Sequence, residues 1–269
     1  MQHRQSMIEV VDLVKQFGDY TAVDAVSFQV AEGEVFGLLG PNGAGKSTTI
    51  KMLTTLLPPT GGQATVVGYD ILRHANAVRR HIGYVPQALS ADGSLTGREN
   101  LLVFASLYDL PRATRKAKVQ EVLTFMGLAD VADRLVRTYS GGMIRRLEIA
   151  QAMLHNPQVL FLDEPTVGLD PVARKAVWEH LEQIRTQTGM TIFLTTHYME
   201  EADNLCDHVA IMHQGKIVAL DTPNALKAQL KTPNATLDDV FAHYTGNTLE
   251  SGGSYRDTAR TRRTARRLG

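Results

Sequence analysis

The stretch "EVFGLLGPNGAGKSTTIKMLTTLL", from Glu34 to Leu57, constrains the fold more than any other part of the chain. "EVFGLL" reads as a buried strand. "GPNGAGKS" fits the loop pattern G-x-x-x-x-G-K-[ST], and "TIKMLTTLL" reads as a helix stopped by Pro58 and Pro59. Gly40, Gly43 and Gly45 give the backbone the freedom to curl its N–H groups around a phosphate at a helix N-terminus, with Pro41, Asn42 and Ala44 completing the turn. Lys46 reaches the β- and γ-phosphates as a point charge, the Ser47 hydroxyl suits Mg²⁺, and Thr48 adds a further hydroxyl.

The rest of the chain fits around that unit. Apolar residues tend to alternate from Met7 to Val35, with "FGDY" and "AEGE" as turn-like breaks, so the opening is rich in strands with one buried face. From about Ala88 to Pro157 the pattern is helical: "TGRE" at Thr96 to Glu99 matches a capping box, and Val119, Val122, Leu123 and Met126 share one helix face. Strand-like runs return at "VLFL" and "TIFLTT", with a helix around Trp178 to Ile184 between them. The expected fold is α/β: a phosphate-loop core with an N-terminal antiparallel β subdomain and an inserted α-helical subdomain.

Composition excludes more than it identifies. Twenty-eight basic and twenty-eight acidic side chains cancel over 269 residues, so the whole chain offers no field for nucleic acid. The single cysteine, Cys206, rules out an intramolecular disulfide. No run of about eighteen apolar residues is present, so a membrane role requires a separate partner. From Gly252 onward six arginines face one aspartate, and that tail reads as disordered and solvated.

Two further stretches carry chemistry. "VLFLDE" ends a buried strand with Asp163 and Glu164, at the edge where open α/β sheets bind ligands. Asp163 suits Mg²⁺, directly or through water, and Glu164 can polarise an attacking water as general base. "YSGGM" at 139–143 opens a helix: Ser140 is a good N-cap, and the N-terminus with Gly141 and Gly142 exposes N–H donors to an anion.

In this order and spacing, the motifs resemble the nucleotide-binding subunit of an ATP-binding cassette (ABC) transporter, over about residues 7 to 220. "GPNGAGKST" resembles the Walker A loop, "VLFLDE" the Walker B strand with its catalytic glutamate, "YSGGM" the signature motif, "GLD" the D-loop and "LTTH" the switch histidine. The resemblance implies roles for residues otherwise mute. Gln87 in "GYVPQ" becomes the Q-loop glutamine at the Mg²⁺ and water, His197 contacts the γ-phosphate, and Phe17 stacks on adenine, with Tyr20 the rival ring. It also implies a head-to-tail pair of subunits, in which Ser140, Gly141 and Gly142 close over the partner's ATP and Asp170 lies at the same interface. Tyr139 and Met143 depart from the leucine and glutamine common in the family.

The expected layout is a nucleotide-binding domain over 1–220, with its helical subdomain at about 88–157, a helical extension at 221–250 and a basic tail at 251–269. "TYSGGM", "TTHYMEEAD" and "TLDDVFAHYTG" look most like the drug- and polysaccharide-exporter branch, in particular the daunorubicin-resistance type. That branch implies ATP and Mg²⁺ as cofactors, an integral membrane permease as partner, and a peripheral position on the cytoplasmic face of the membrane. An importer subunit shares every ATP motif, whereas a soluble translation factor of the superfamily carries two cassettes and a repair ATPase a long coiled-coil insert between Gln87 and Ser140.

Overall fold

The structure, a computed structural model, describes residues 5–246; the basic tail anticipated at 251–269 lies outside them. Two sheets carry the chain. Strands β1 (Ser6–Phe17) and β2 (Tyr20–Ala31) form a long antiparallel hairpin, and β4 (Gly61–Val66) and β5 (Tyr69–Asp70) extend it in the order β2-β1-β4-β5. The second sheet holds β3 (Val35–Leu39), β6 (Ile82–Val85), β7 (Val159–Asp163), β8 (Thr191–Thr196), β9 (His208–His213) and β10 (Lys216–Asp221), in the order β10-β9-β3-β8-β7-β6. Its pairings are parallel except for β9 with the edge strand β10.

Side-chain alternation in the parallel strands divides the core in two. Val35, Leu39, Leu160, Leu162, Ile192, Leu194, Val209 and Ile211 face one way. They pack with α3 (Gly97–Leu107), α4 (Arg112–Phe125), α5 (Gly141–Met153), α6 (Pro171–Thr188) and α7 (Met199–Leu205). Phe36, Leu38, Val159, Phe161, Phe193, Ala210 and Met212 face the other way, against the antiparallel sheet, α1 (Lys46–Leu53) and α2 (Ala75–His81). Rings of Phe28, Phe36 and Phe193 stack at 5.2 and 5.4 Å, joining the two sheets. This period of two places Asp163 and Thr195 on the α1 side, in phase with Phe161 and Phe193.

The insert between β6 and β7 is helical, and its anticipated capping box forms. Thr96 Oγ1 accepts from the Glu99 N–H at 3.1 Å, and Glu99 Oε2 accepts from the Thr96 N–H at 2.8 Å. Val119, Val122, Leu123 and Met126 are all buried on the face read from their spacing. After β10 come α8 (Pro223–Gln229) and α9 (Leu237–Thr245), the latter packed on α7. One boundary differs from expectation: α1 stops at Leu53, before Pro58. Thr55 turns to φ +63°, and the Leu56 and Thr55 N–H groups bond back to the Lys51 and Met52 carbonyls at 2.9 and 3.0 Å, a left-handed cap that ends the helix first.

Candidate nucleotide site

Strand order alone assembles the site. β3, β8, β7 and β6 are neighbours and parallel, so their carboxyl ends deliver the Gly40 loop, His197, the Asp163–Glu164 pair and Gln87 along one edge. The cleft there holds about 410 Å³ and is lined by Phe17, Tyr20, the loop from Pro41 to Thr48, Gln87 and Glu164. A larger cavity of about 640 Å³, near Tyr69, Phe125 and Met190, contains none of the anticipated residues. Chemistry and not size therefore marks the site.

The loop closes onto α1 through Gly45, at φ +110°, where a Cβ would sit 2.5 Å from the Ala22 carbonyl oxygen and 2.6 Å from the Met212 methyl. Only glycine fits there. Lys46, 4% exposed, folds back: its Nζ donates to the Gly40 carbonyl at 2.8 Å and the Pro41 carbonyl at 3.2 Å, and lies 3.1 Å from Glu164 Oε1. Glu164 is also 4% exposed, at φ +49°, and its other oxygen takes a hydrogen bond from Gln87 Nε2 at 3.1 Å. His197 Nδ1 is 3.3 Å from the same oxygen. Burial raises the Glu164 carboxyl, but the neighbouring His197 and Lys46 outweigh it and hold the group below the ordinary carboxylate range. It is therefore ionised at neutral pH, the form a general base requires.

Asp163 Oδ1 receives the Ser47 hydroxyl at 3.1 Å and the Thr195 hydroxyl at 2.6 Å. A hydroxyl and a carboxylate oxygen side by side, with the Gln87 amide on the same cleft, suit a hard cation that keeps phosphate oxygens for its remaining positions. The residues present thus fit Mg²⁺. Phe17 and Tyr20, 49% and 59% exposed at the hairpin tip, both border the cleft as flat apolar surfaces.

Ser140, Gly141, Gly142 and Asp170 do not line this cleft. They form a second group in which the helix starts of α5 and α6 lie side by side. A Cβ on Gly142 would meet the Ala173 Cβ at 2.9 Å, and one on Gly141 would meet Leu169 Cδ2 at 3.0 Å. Ser140 Oγ caps α5 by accepting from the Met143 N–H at 3.3 Å, and Asp170 Oδ1 caps α6 by accepting from the Val172 and Ala173 N–H groups. The unusual flanks are structural here: Tyr139 donates to the Val131 carbonyl at 2.6 Å, and Met143 packs against the helical core.

Three residues escaped sequence reading. Thr195 both fixes Asp163 and accepts the Glu164 N–H at 3.0 Å; a threonine in a wholly buried strand must find such a partner, which is the available signal. Arg145 and Glu148, both 2% exposed, are paired at 3.1 Å within α5. Arg145 donates to the Pro86 and Gln87 carbonyls, and Glu148 accepts from the Ser90 and Ala91 N–H groups, so the helix headed by Ser140 holds the segment bearing Gln87.

Fold and cleft together define a P-loop nucleotide-binding domain. The family model for ABC transporters matches residues 23–167, and the chain belongs to that family. It is 46% identical over 223 residues to the daunorubicin/doxorubicin resistance ATP-binding protein DrrA of Streptomyces peucetius, covering 83% of this chain and 67% of that protein. It is 41% identical to the probable multidrug ABC transporter ATP-binding protein YbhF of Escherichia coli (strain K12), covering 88% of this chain but only 41% of the relative's length. A solved ATP-binding subunit of an ABC transporter superposes with a TM-score of 0.77 at 31% identity, covering 88% of this chain and 99% of that one.

Proposed function

We propose that the chain is the ATP-hydrolysing subunit of an exporter of drug-like, lipid or polysaccharide molecules. The carrying observation is the set of contacts converging on Glu164 from Lys46, Gln87 and His197. In this reading the Walker loop N–H groups and Lys46 hold the phosphates, and Phe17 or Tyr20 covers the adenine. Ionised Glu164 takes a proton from the attacking water while Gln87 and His197 fix its direction. Ser47, Asp163 and Gln87 would hold Mg²⁺, which when bound would supply charge neutralisation for the reacting phosphates.

The second group of residues supports a two-chain site. Ser140, Gly141, Gly142 and Asp170 lie off the chain's own cleft yet next to one another, as a surface meant for the ATP of a second copy would be. None of the described helices is long and apolar enough to cross a membrane. In this reading a separate permease carries the transport path. The protein then sits peripherally on the cytoplasmic face of that membrane. The similarity to the drug-resistance relatives favours export over import.

Light scattering of the Glu164→Gln chain with ATP and Mg²⁺ tests the reading. A nucleotide-dependent rise from monomer to dimer mass is expected, and is lost when Ser140 is also replaced by a bulky residue. A chain that binds ATP but stays monomeric at all concentrations counts against the shared site.

A further inference from the structure

Glu201 is fully buried on α7, four residues after His197, and takes no part in the mechanism above. Its Oε1 accepts two hydrogen bonds at 2.9 Å, one from Thr166 Oγ1 and one from the Trp178 indole N–H. Thr166 lies in the turn just after Glu164, and Trp178 lies on α6, the helix capped by Asp170. A parallel link runs beside it. The Arg174 guanidinium, also on α6, sits 4.2 Å from the ring centre of Tyr198, and that ring is in turn 4.2 Å from the His197 ring. The Tyr198 N–H donates to Thr196 Oγ1 at 2.9 Å. One carboxyl group therefore joins the helix after the switch histidine, the turn after the general base, and the helix that begins at the D-loop.

We infer that Glu201 is a positioning residue that locks His197 and Glu164 to the D-loop helix, so that docking of the second chain at Asp170 is felt at the hydrolytic centre. This rests on the two-chain ATPase reading. Burying a carboxyl without an ion-pair contact is costly, and burial raises Glu201 above the ordinary range even though the bonds from Trp178 and Thr166 and the positive charge of Arg174 oppose it. If its task were only to fill space, an apolar side chain would do so at lower cost. What the carboxyl group adds is two directed bonds to elements that otherwise meet here through packing and the Arg174–Tyr198 contact.

Trp178 is the one tryptophan of the chain, so its emission reports on this junction alone. The test uses full-length wild type, Glu201→Gln, Glu201→Leu, Thr166→Val and Trp178→Phe. It measures ATP affinity by calorimetry, kcat by phosphate release, and Trp178 emission upon addition of a non-hydrolysable ATP analogue. Wild type is expected to change its emission on binding the analogue. Glu201→Leu is expected to lose that response and to fall at least tenfold in kcat, with ATP affinity within about threefold. Glu201→Gln, which keeps the acceptor, is expected to recover most of both. Thr166→Val and Trp178→Phe each remove one bond and leave the carboxyl in place, so they carry the test if Glu201→Leu does not fold; each is expected to lower kcat severalfold without weakening ATP binding. Normal kcat in both overturns the positioning role while leaving the ATPase reading intact. A wild-type chain that neither binds nor hydrolyses ATP overturns the ATPase reading itself.

Discussion

The Walker cleft and the signature surface are both built from glycine-rich loops at helix starts, yet they differ in where their polar groups point. In the cleft nearly every group is answered within the chain: Lys46 by two carbonyls and Glu164, Glu164 by Gln87, Asp163 by Ser47 and Thr195. At the signature surface Ser140 and Asp170 do no more, among the described residues, than cap their own helices. The contrast teaches that a helix start becomes a site through what converges on it, and in the proposed two-chain site the convergent partners of the second loop come from another molecule.

The largest expected effect breaks the cleft. In the proposed mechanism Glu164→Gln removes the general base, and phosphate release should fall by about 10² to 10⁴ while calorimetric ATP binding persists. Near-normal turnover would remove Glu164 from the mechanism. Next comes the pair that ties the two regions together. Glu148→Leu leaves Arg145 buried and unpaired, which should cost about 3–5 kcal/mol in urea unfolding. An Arg145→Met/Glu148→Leu double variant should recover much of that stability, whereas equal losses in the single and double variants would show that the charges are not coupled.

Smaller effects separate the regions. Lys46→Ala deletes charge-assisted bonds worth about 1.5–3 kcal/mol, roughly ten- to hundredfold in ATP affinity, and an unchanged Kd counts against the phosphate loop. Ser140→Ala should lose only about 1 kcal/mol of stability as an N-cap, leave monomer ATP affinity unaltered and still impair hydrolysis. Hydrolysis at the wild-type rate would return that loop to a merely capped helix. The smallest effect is on pH. Because the folded Glu164 carboxyl titrates below its ordinary value of 4.5, its ionisation stabilises the fold above that value, and the gain fades as pH falls through the lowered one. The melting-temperature advantage of wild type over Glu164→Gln should therefore be present at pH 7 and shrink in acid, and a gap that widens in acid would reverse the sign.

Much of the cleft was legible because its residues sit at fixed offsets from strands. Once "VFGLL", "VLFLD" and "TIFLTT" are parallel neighbours, Lys46, Glu164 and His197 have nowhere else to be. What stayed hidden depended on contacts remote in sequence. Arg145 and Glu148, opposite charges three apart on a helix, read as an ordinary exposed pair, and only the Gln87 segment lying across them buries both. Glu201 was similarly masked among the acidic residues of "MEEAD". The end of α1 was misplaced because Thr55, a residue that rarely adopts the left-handed conformation, caps the helix where proline spacing gives no sign of it.

The contact between Lys46 and Glu164 also has a kinetic meaning. In the proposed mechanism an arriving γ-phosphate would have to evict the Glu164 carboxylate from the Lys46 ammonium, so nucleotide entry would be an exchange of anions and the observed affinity would be net of that competition. The displaced carboxylate would be freed for water in the same motion that seats the phosphate, timing activation to occupancy. After cleavage the same carboxylate would reclaim the lysine and hasten departure of the product. The general base would thus double as a built-in competitor, and Glu164→Gln should hold ATP more tightly than wild type for a reason separate from its failure to hydrolyse it.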